Sequence, residues 1–387
     1  MKLRMQAIRI AAGLGVFALA VTGCGANSAS QSTSQASQSA SATSSAVDYN
    51  ALMAQARQMV PADWQGPTTP AKPQAGKKIA AITCYSILEG CVIPAEGIAQ
   101  AAKMIGWQAR TFDGGGTPAT QNAQILNAVS WGADVIAIIA INPAAVQSGL
   151  KAAKAKNIVI VSGSSGLSSP NETISGTAGQ VWPALDVSPD YKKLGQSLAN
   201  WVIADSKGTA KIAIYGDKEF DSINGQERGF VPTMQSCSGC QSSNVMYFTA
   251  TQIANQVGPQ VVSYMRANPS TTYIYGAYDP PAAAMVTALE TAGLGQKVKL
   301  VSVLGNAQNL GYVRAGHVQV ADAAYDNTYM GFAMVDQAIR LMNGQKPIEP
   351  AGEGLPFQVL DKTNLPAGTQ SWRAPYDYVS KFAALWK

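Results

Sequence analysis

Five cysteines, one histidine and a set of tyrosines bound the chemistry open to this 387-residue chain. Cys84 and Cys91 bracket a stretch that holds Tyr85 and Glu89. Cys237 and Cys240 enclose Ser238-Gly239, and Cys24 follows Val21-Thr22-Gly23. The single histidine, His317, leaves a His-based metal site or a His-activated nucleophile little to draw on. No GxSxG, HExxH or P-loop occurs, and Gly114-Gly115-Gly116 lacks the spacing of a dinucleotide fingerprint, reading instead as a tight turn. An enzyme is the weaker reading, and no catalytic residue, metal or cofactor is expected. Apart from Cys24, four cysteines allow three pairings, between which the sequence does not choose. Local pairs, Cys84 with Cys91 and Cys237 with Cys240, are the simplest in an exported chain. Cys-Ser-Gly-Cys also has the form of a redox pair, but such pairs sit at helix starts, and this one falls at a predicted helix end.

The leader supports export. Residues 1–23 carry Lys2, Arg4 and Arg9, then an apolar run from Ile10 to Val21 that is too short for a stable membrane span. Val21-Thr22-Gly23-Cys24 resembles a bacterial lipobox, which implies diacylation of Cys24 and anchoring on the extracytoplasmic face of the cell membrane. Residues 24–46 are almost entirely Ser, Gln, Ala and Thr, the composition of a flexible tether. Loss of the leader's three basic residues lowers the formal net charge from +5 to +2. With only 13% charged residues, the chain is a poor nucleic-acid binder.

The remaining residues have to be positioned by a fold. Residues 47–76 predict a helix, Asp48 to Met59, and a Pro-rich linker in which Trp64 anchors on the folded body. From Lys78 onward, apolar runs of four to six residues alternate with helical patterns of ten to fifteen. Strands are expected near Ile79–Thr83, Gln108–Phe112, Val135–Ala140, Ile158–Ser162, Lys211–Tyr215, Asn244–Thr249, Tyr273–Gly276, Lys299–Val303 and Phe357–Leu360. The first intervening helix is expected from Pro94, and a surface helix over Tyr376–Trp386. The fold class is α/β, with parallel sheets covered by helices. Ligands in such sheets sit beyond the C-terminal strand ends. The loops of interest are therefore Cys84–Cys91, Asp113–Thr117, Ile141–Asn142, Gly163–Ser168, Gly216–Asn224, Ala277–Pro280 and Leu304–Asn309.

Over about residues 78–360 the order of elements resembles the type 1 periplasmic binding proteins of the ribose-binding group. The matching stretches are Gly97 to Trp107, Trp131 to Ile136, Ile141-Asn142-Pro143, Glu227-Arg228-Gly229-Phe230, Tyr278-Asp279, Ala292-Gly293 and Asn343-Gly344. The resemblance implies two Rossmann-like lobes joined by three crossovers, near Val181–Asp186, Ala323–Tyr325 and Pro356. Lobe 1 would span 77–183 plus 325–356, and lobe 2 184–324 plus 357–365, with a C-terminal helix in 366–387. It further implies a monomeric receptor that closes on a small-molecule ligand and delivers it to an ABC permease and its ATPase. A receptor presenting its solute to a membrane sensor would share fold and site. Repressors with the same body carry an N-terminal helix-turn-helix, where this chain has a leader and a tether. Where the sugar-binding pattern has charged anchors, this chain has Ser164-Ser165, Asn224 and Leu304 with Asn306. The expected ligand contacts are Tyr85, Glu89, Ser164, Ser165, Asn224, Tyr278, Asp279, Asn306 and Tyr325. They suit a sugar-like or less polar, aromatic or amphipathic solute.

Overall fold

The protein is seen here as a computed structural model that describes residues 47–165, 178–368 and 370–387. The expected leader, Cys24 and the tether lie outside the described residues, as do residues 166–169 of the loop after the fourth strand. The chain enters through α1 (Tyr49–Ala56), whose cap Asp48 accepts from the Asn50 and Ala51 amides at 3.0 Å.

Two sheets follow. The first contains β1 (Lys78–Thr83), β2 (Gln108–Asp113), β3 (Val135–Ile139), β4 (Val159–Gly163) and β5 (Asp186–Val187), all parallel in the order β2-β1-β3-β4-β5. Helices α2 (Glu89–Met104), α3 (Pro118–Trp131) and α4 (Gln147–Ala155) connect them. Every residue of β3 is buried, as expected of a strand covered on both faces. After β5 the chain crosses to α5 (Tyr191–Asp205) and the second sheet. That half contains β6 (Lys211–Asp217), α6 (Asp221–Ser236), β7 (Gln241–Phe248), α7 (Gly258–Ala267), β8 (Tyr273–Tyr275), α8 (Asp279–Thr291), β9 (Lys299–Leu304), α9 (Ala307–Ala315) and β10 (Gln319–Tyr325). The chain then recrosses for α10 (Asn327–Met342), returns for β11 (Phe357–Asp361), and ends in α11 (Tyr378–Leu385). The second sheet runs β11-β10-β9-β8-β6-β7 and is parallel except between β10 and β11.

Four sequence expectations change. Strand β5 pairs with β4, so residues 184–187 belong to the first lobe, and the first crossover follows Val187 rather than spanning Val181–Asp186. Helix α2 starts at Glu89, not Pro94, because a turn closed by the Leu88 amide on the Tyr85 carbonyl leads straight into it. Helix α6 likewise starts at Asp221, ahead of Gly225. Helix α9 is not among the expected elements, whereas β10 is the strand expected after His317. Helix α9 is short and buries Asn309, which blurs its pattern.

Each lobe is built round one close helix crossing. A Cβ added to Gly97 of α2 would meet the Thr328 carbonyl oxygen at 2.6 Å, and one on Gly331 of α10 the Pro94 oxygen at 2.4 Å. In the second lobe, a Cβ added to Gly195 of α5 would meet the Gln226 oxygen at 2.1 Å, and one on Gly229 of α6 the Lys192 oxygen at 2.0 Å. No side chain fits at these crossings.

Both terminal segments span the lobes. On the second lobe, Arg57 donates to Asp361 at 2.6 Å and Val60 bridges Phe357. The linker then reaches the first lobe, where buried Arg340 donates to Thr69 Oγ1 and the Thr69 carbonyl at 2.9 and 2.8 Å, and Trp107 Nε1 donates to the Gln74 carbonyl at 2.7 Å. Trp64 packs on Tyr329, Tyr376 and Phe382, with ring centroids 5.7, 5.9 and 5.5 Å away, as its reading as an anchor requires. The C-terminal segment repeats the passage. The Trp372 amide donates to the Gly305 carbonyl at 2.8 Å on the second lobe, the Ala374 amide to Asp326 at 2.9 Å, and Trp386 Nε1 to Asp336 on α10 at 2.6 Å.

Candidate ligand-binding cleft

Strand order dictates where a site can form. In the first sheet, connections leave β1 to one side and arrive at β3 on the other; in the second sheet the same reversal lies between β6 and β8. The residues that follow these strands face one another. A chamber of about 40 Å³ is lined by Leu88 and Gly90 after β1, Ala140 after β3 and Ser164 after β4. Facing them are Phe220, Ser222 and Ile223 after β6, Tyr278 after β8, Leu304 at the end of β9 and Tyr325 at the end of β10.

The backbone here is held in conformations that L-residues rarely adopt. Ala140 (φ 50°), Ser164 (φ 56°), Ala277 (φ 63°) and Leu304 (φ 133°) lie at or just past the ends of β3, β4, β8 and β9. Strain of this kind, about 1–3 kcal/mol per residue, tends to collect at functional sites. Among the described residues, none lining this inner chamber is charged. Its hydroxyl groups are mostly engaged. Tyr278 Oη donates to Asp217 Oδ2 at 2.9 Å, and Ser164 Oγ is bonded to Tyr191 Oη. The Tyr191 ring meets Tyr325 edge-on at 5.7 Å, and Phe220 meets Tyr278 edge-on at 5.9 Å. Burial pushes the Asp217 carboxyl up to about 7, with Glu219 and Glu227 adding repulsion and bonds from Tyr278 and the Glu219 amide opposing it.

Past Phe220 and Ala140 lies a larger chamber of about 250 Å³. Gln121 and Asn142 of the first lobe face Lys218 and Glu219 of the second across it.

Of the nine expected contacts, Ser164, Tyr278 and Tyr325 converge on the inner chamber. The other six line neither chamber. Tyr85 is half-buried against Gly116. Glu89 is exposed at the first turn of α2. Ser165 is scaffold: its amide donates to Asp186 at 3.0 Å, and its Oγ accepts from the Ile141 amide at 3.2 Å. Asn224 is half-buried in α6 and bonds to Asp221. Asp279 is fully buried and accepts from Ser302 Oγ at 2.5 Å and the Asn306 amide at 2.7 Å, so Asn306 is also tied into this cluster. Burial, reinforced by Asp322, holds the Asp279 carboxyl well above the carboxylate range. Phe220, Gln121, Asn142 and Glu219 are not among the expected contacts; Asn142 is named only as part of a strand-end loop and a matching stretch, and the other three have as their signal a place in such a loop or the helix just after one.

Among the described residues, Cys84 lies beside Cys91 (Cα–Cα 5.7 Å) and Cys237 beside Cys240 (Cα–Cα 5.3 Å). Cys91 stands in the wall of the inner chamber.

The family described as a periplasmic binding protein domain matches residues 91–346, about two thirds of the chain. No curated protein sequence matches. Among solved structures, an ABC transporter solute-binding protein from Agrobacterium vitis, bound with α-D-tagatopyranose, is similar with TM-score 0.65 and 19% identity, over 74% of this chain and 95% of that one. One from Mycobacterium smegmatis, with bound glycerol, gives TM-score 0.65 and 19% identity over 77% and 100%. The 5-methylthioribose transporter solute-binding protein of Thermotoga lettingae gives 0.64 and 16% over 76% and 89%. At these identities the structures speak to the fold, and it is the same two-lobed α/β fold. The chain belongs to the periplasmic binding protein family, in its type 1 form, a family of solute receptors rather than enzymes.

Proposed function

We propose that the protein is a lipid-anchored receptor on the extracytoplasmic face of the cell membrane. It binds a small sugar-like or less polar solute between its lobes and delivers it to an ABC permease and its ATPase. The observation that carries this reading is the inner chamber, where both sheets' reversal points meet and three strained residues, Ala140, Ser164 and Leu304, stand in the wall. The related proteins named above are ABC solute-binding proteins, two of them named with a sugar. The lobes would rotate about the three crossovers and close on the ligand. Cys24 would carry the lipid, and both cysteine pairs would be oxidised outside the cytoplasm.

A ligand that binds only the folded form raises its melting temperature. A panel of sugars, polyols and amphipathic small molecules, screened by thermal shift, should contain at least one that does so. Tyr278→Ala and Ser164→Ala should each weaken that binding. Full affinity in both variants, or no response to any solute, would sink the reading. Radiolabelled palmitate should enter the wild-type protein in its own cells and not the Cys24→Ala variant.

A further inference from the structure

The two chambers differ in size and in chemistry, and the difference selects a ligand. On the measure by which one water needs roughly 10–15 Å³, the inner chamber holds about three non-hydrogen atoms, far fewer than a monosaccharide ring. Its walls are largely apolar, with Leu88, Phe220, Ile223 and Leu304 around it. The outer chamber, about 250 Å³, is large enough for a ring and presents unused polar atoms. Asn142 Oδ1 accepts from the Ala144 amide at 2.9 Å, which leaves its Nδ2 to donate. Gln121 Nε2 donates to the Cys84 carbonyl at 3.2 Å, leaving its Oε1 to accept. Glu219 Oε2 accepts from the Ala250 amide at 2.7 Å, leaving its Oε1. With Lys218 Nζ, which lines the same chamber and stands 4.0 Å from the Tyr247 ring centroid, these donors and acceptors from opposite lobes suit a group of hydroxyls, each of which can both donate and accept.

The geometry points to a ligand in two parts: a hydroxylated ring held in the outer chamber by Gln121, Asn142 and Glu219, carrying a short apolar substituent that passes Phe220 into the inner chamber. This rests on the receptor reading and adds to it. The ring would bridge the lobes through Asn142 and Glu219. The substituent would be measured by Leu304, whose side chain lies against Gly90 across the cleft.

The test is calorimetric titration of the whole mature protein with ribose, xylose, glucose and galactose, and with their methyl, propyl and octyl β-glycosides. At least one methyl or propyl glycoside should bind at least about tenfold more tightly than its parent sugar, the scale of one well-placed methylene in an apolar pocket, and the octyl glycoside should not bind. Leu304→Ala should move the preference toward the longer of the two short chains. Asn142→Asp, which keeps the accepting oxygen and loses the donor, and Glu219→Gln should each weaken binding of the preferred glycoside about tenfold or more while leaving its chain-length preference unchanged. Parent sugars that bind as well as their glycosides, indifferent to Leu304→Ala and Asn142→Asp, would overturn the two-part ligand and leave the receptor standing. So would a response only to a solute outside this series. If no solute of any class binds, it is the receptor reading that fails.

Discussion

Tyr278 Oη reaches 2.9 Å to Oδ2 of Asp217, joining the wall of the inner chamber to a buried carboxyl whose pKa is raised to about 7. In the unfolded chain that carboxyl ionises near its ordinary 3.8, so the folded protein holds the proton more tightly. The sign follows by linkage: stability falls as pH rises from about 4 to about 7, and the deficit is complete above that. Asp217→Asn cannot ionise. Its melting temperature should exceed that of the wild type at pH 8, on the order of 4 kcal/mol in stability, and the gap should close toward pH 4. A gap independent of pH would mean that Asp217 titrates normally.

The helix crossings should tolerate no added methyl group. Gly195→Ala places a Cβ about 2.1 Å from a carbonyl oxygen, and the two helices must part. A loss of about 2–3 kcal/mol in urea unfolding is expected, within the range for overpacking. Gly311→Ala is the contrast. It lies in α9 with nothing within 4 Å of the new Cβ, so helix propensity alone should act and stability should rise by about 0.5–1 kcal/mol.

Arg340 and Asp336 form a buried ion pair one helical turn apart, at 2.6 Å. Arg340→Ala removes the cation, leaves a buried carboxylate and releases Thr69. The expected cost is about 3–5 kcal/mol. Lys193→Ala, which breaks the exposed bond to Asp190 at 3.4 Å, should change stability by less than about 1 kcal/mol. Equal losses in the two variants would refute the buried pair's role.

Cys84 and Cys91 are seven residues apart, and a disulfide between them would close the first loop of the cleft. Non-reduced peptide mapping of protein from the producing cells should recover Cys84 with Cys91 and Cys237 with Cys240. The double variant Cys84→Ser/Cys91→Ser should lose about 2 kcal/mol, the scale of a short closed loop. Free thiols at all four positions would contradict the pairing.

The alternation of strands and helices was legible because a buried parallel strand such as Val135–Ile139 is apolar at every position, and little else reads that way. Strand ends pointed to the right loops for the same reason. Which side chain in a loop faces the cleft was not legible, because it depends on backbone conformations that sequence pattern does not encode. Leu304 faces the chamber through an unusual φ, and neighbouring Asn306 turns its amide to Asp279. Asp279 looked like a contact because it follows Tyr278, yet the start of α8 carries it inward to Ser302. Glu89 was placed in a loop because Pro94 suggested a later helix start. The terminal passages between lobes were out of reach, since they rest on contacts such as Arg340 with Thr69, separated by 271 residues.

Those passages have a practical use. Helix α1 lies on the second lobe and α11, close to the C-terminus, on the first. A donor dye near Tyr49 and an acceptor near Lys387 would therefore ride on different lobes. If the lobes rotate, energy transfer between the two labels would report the angle directly, and the protein would serve as an optical gauge of its own ligand without any label in the cleft.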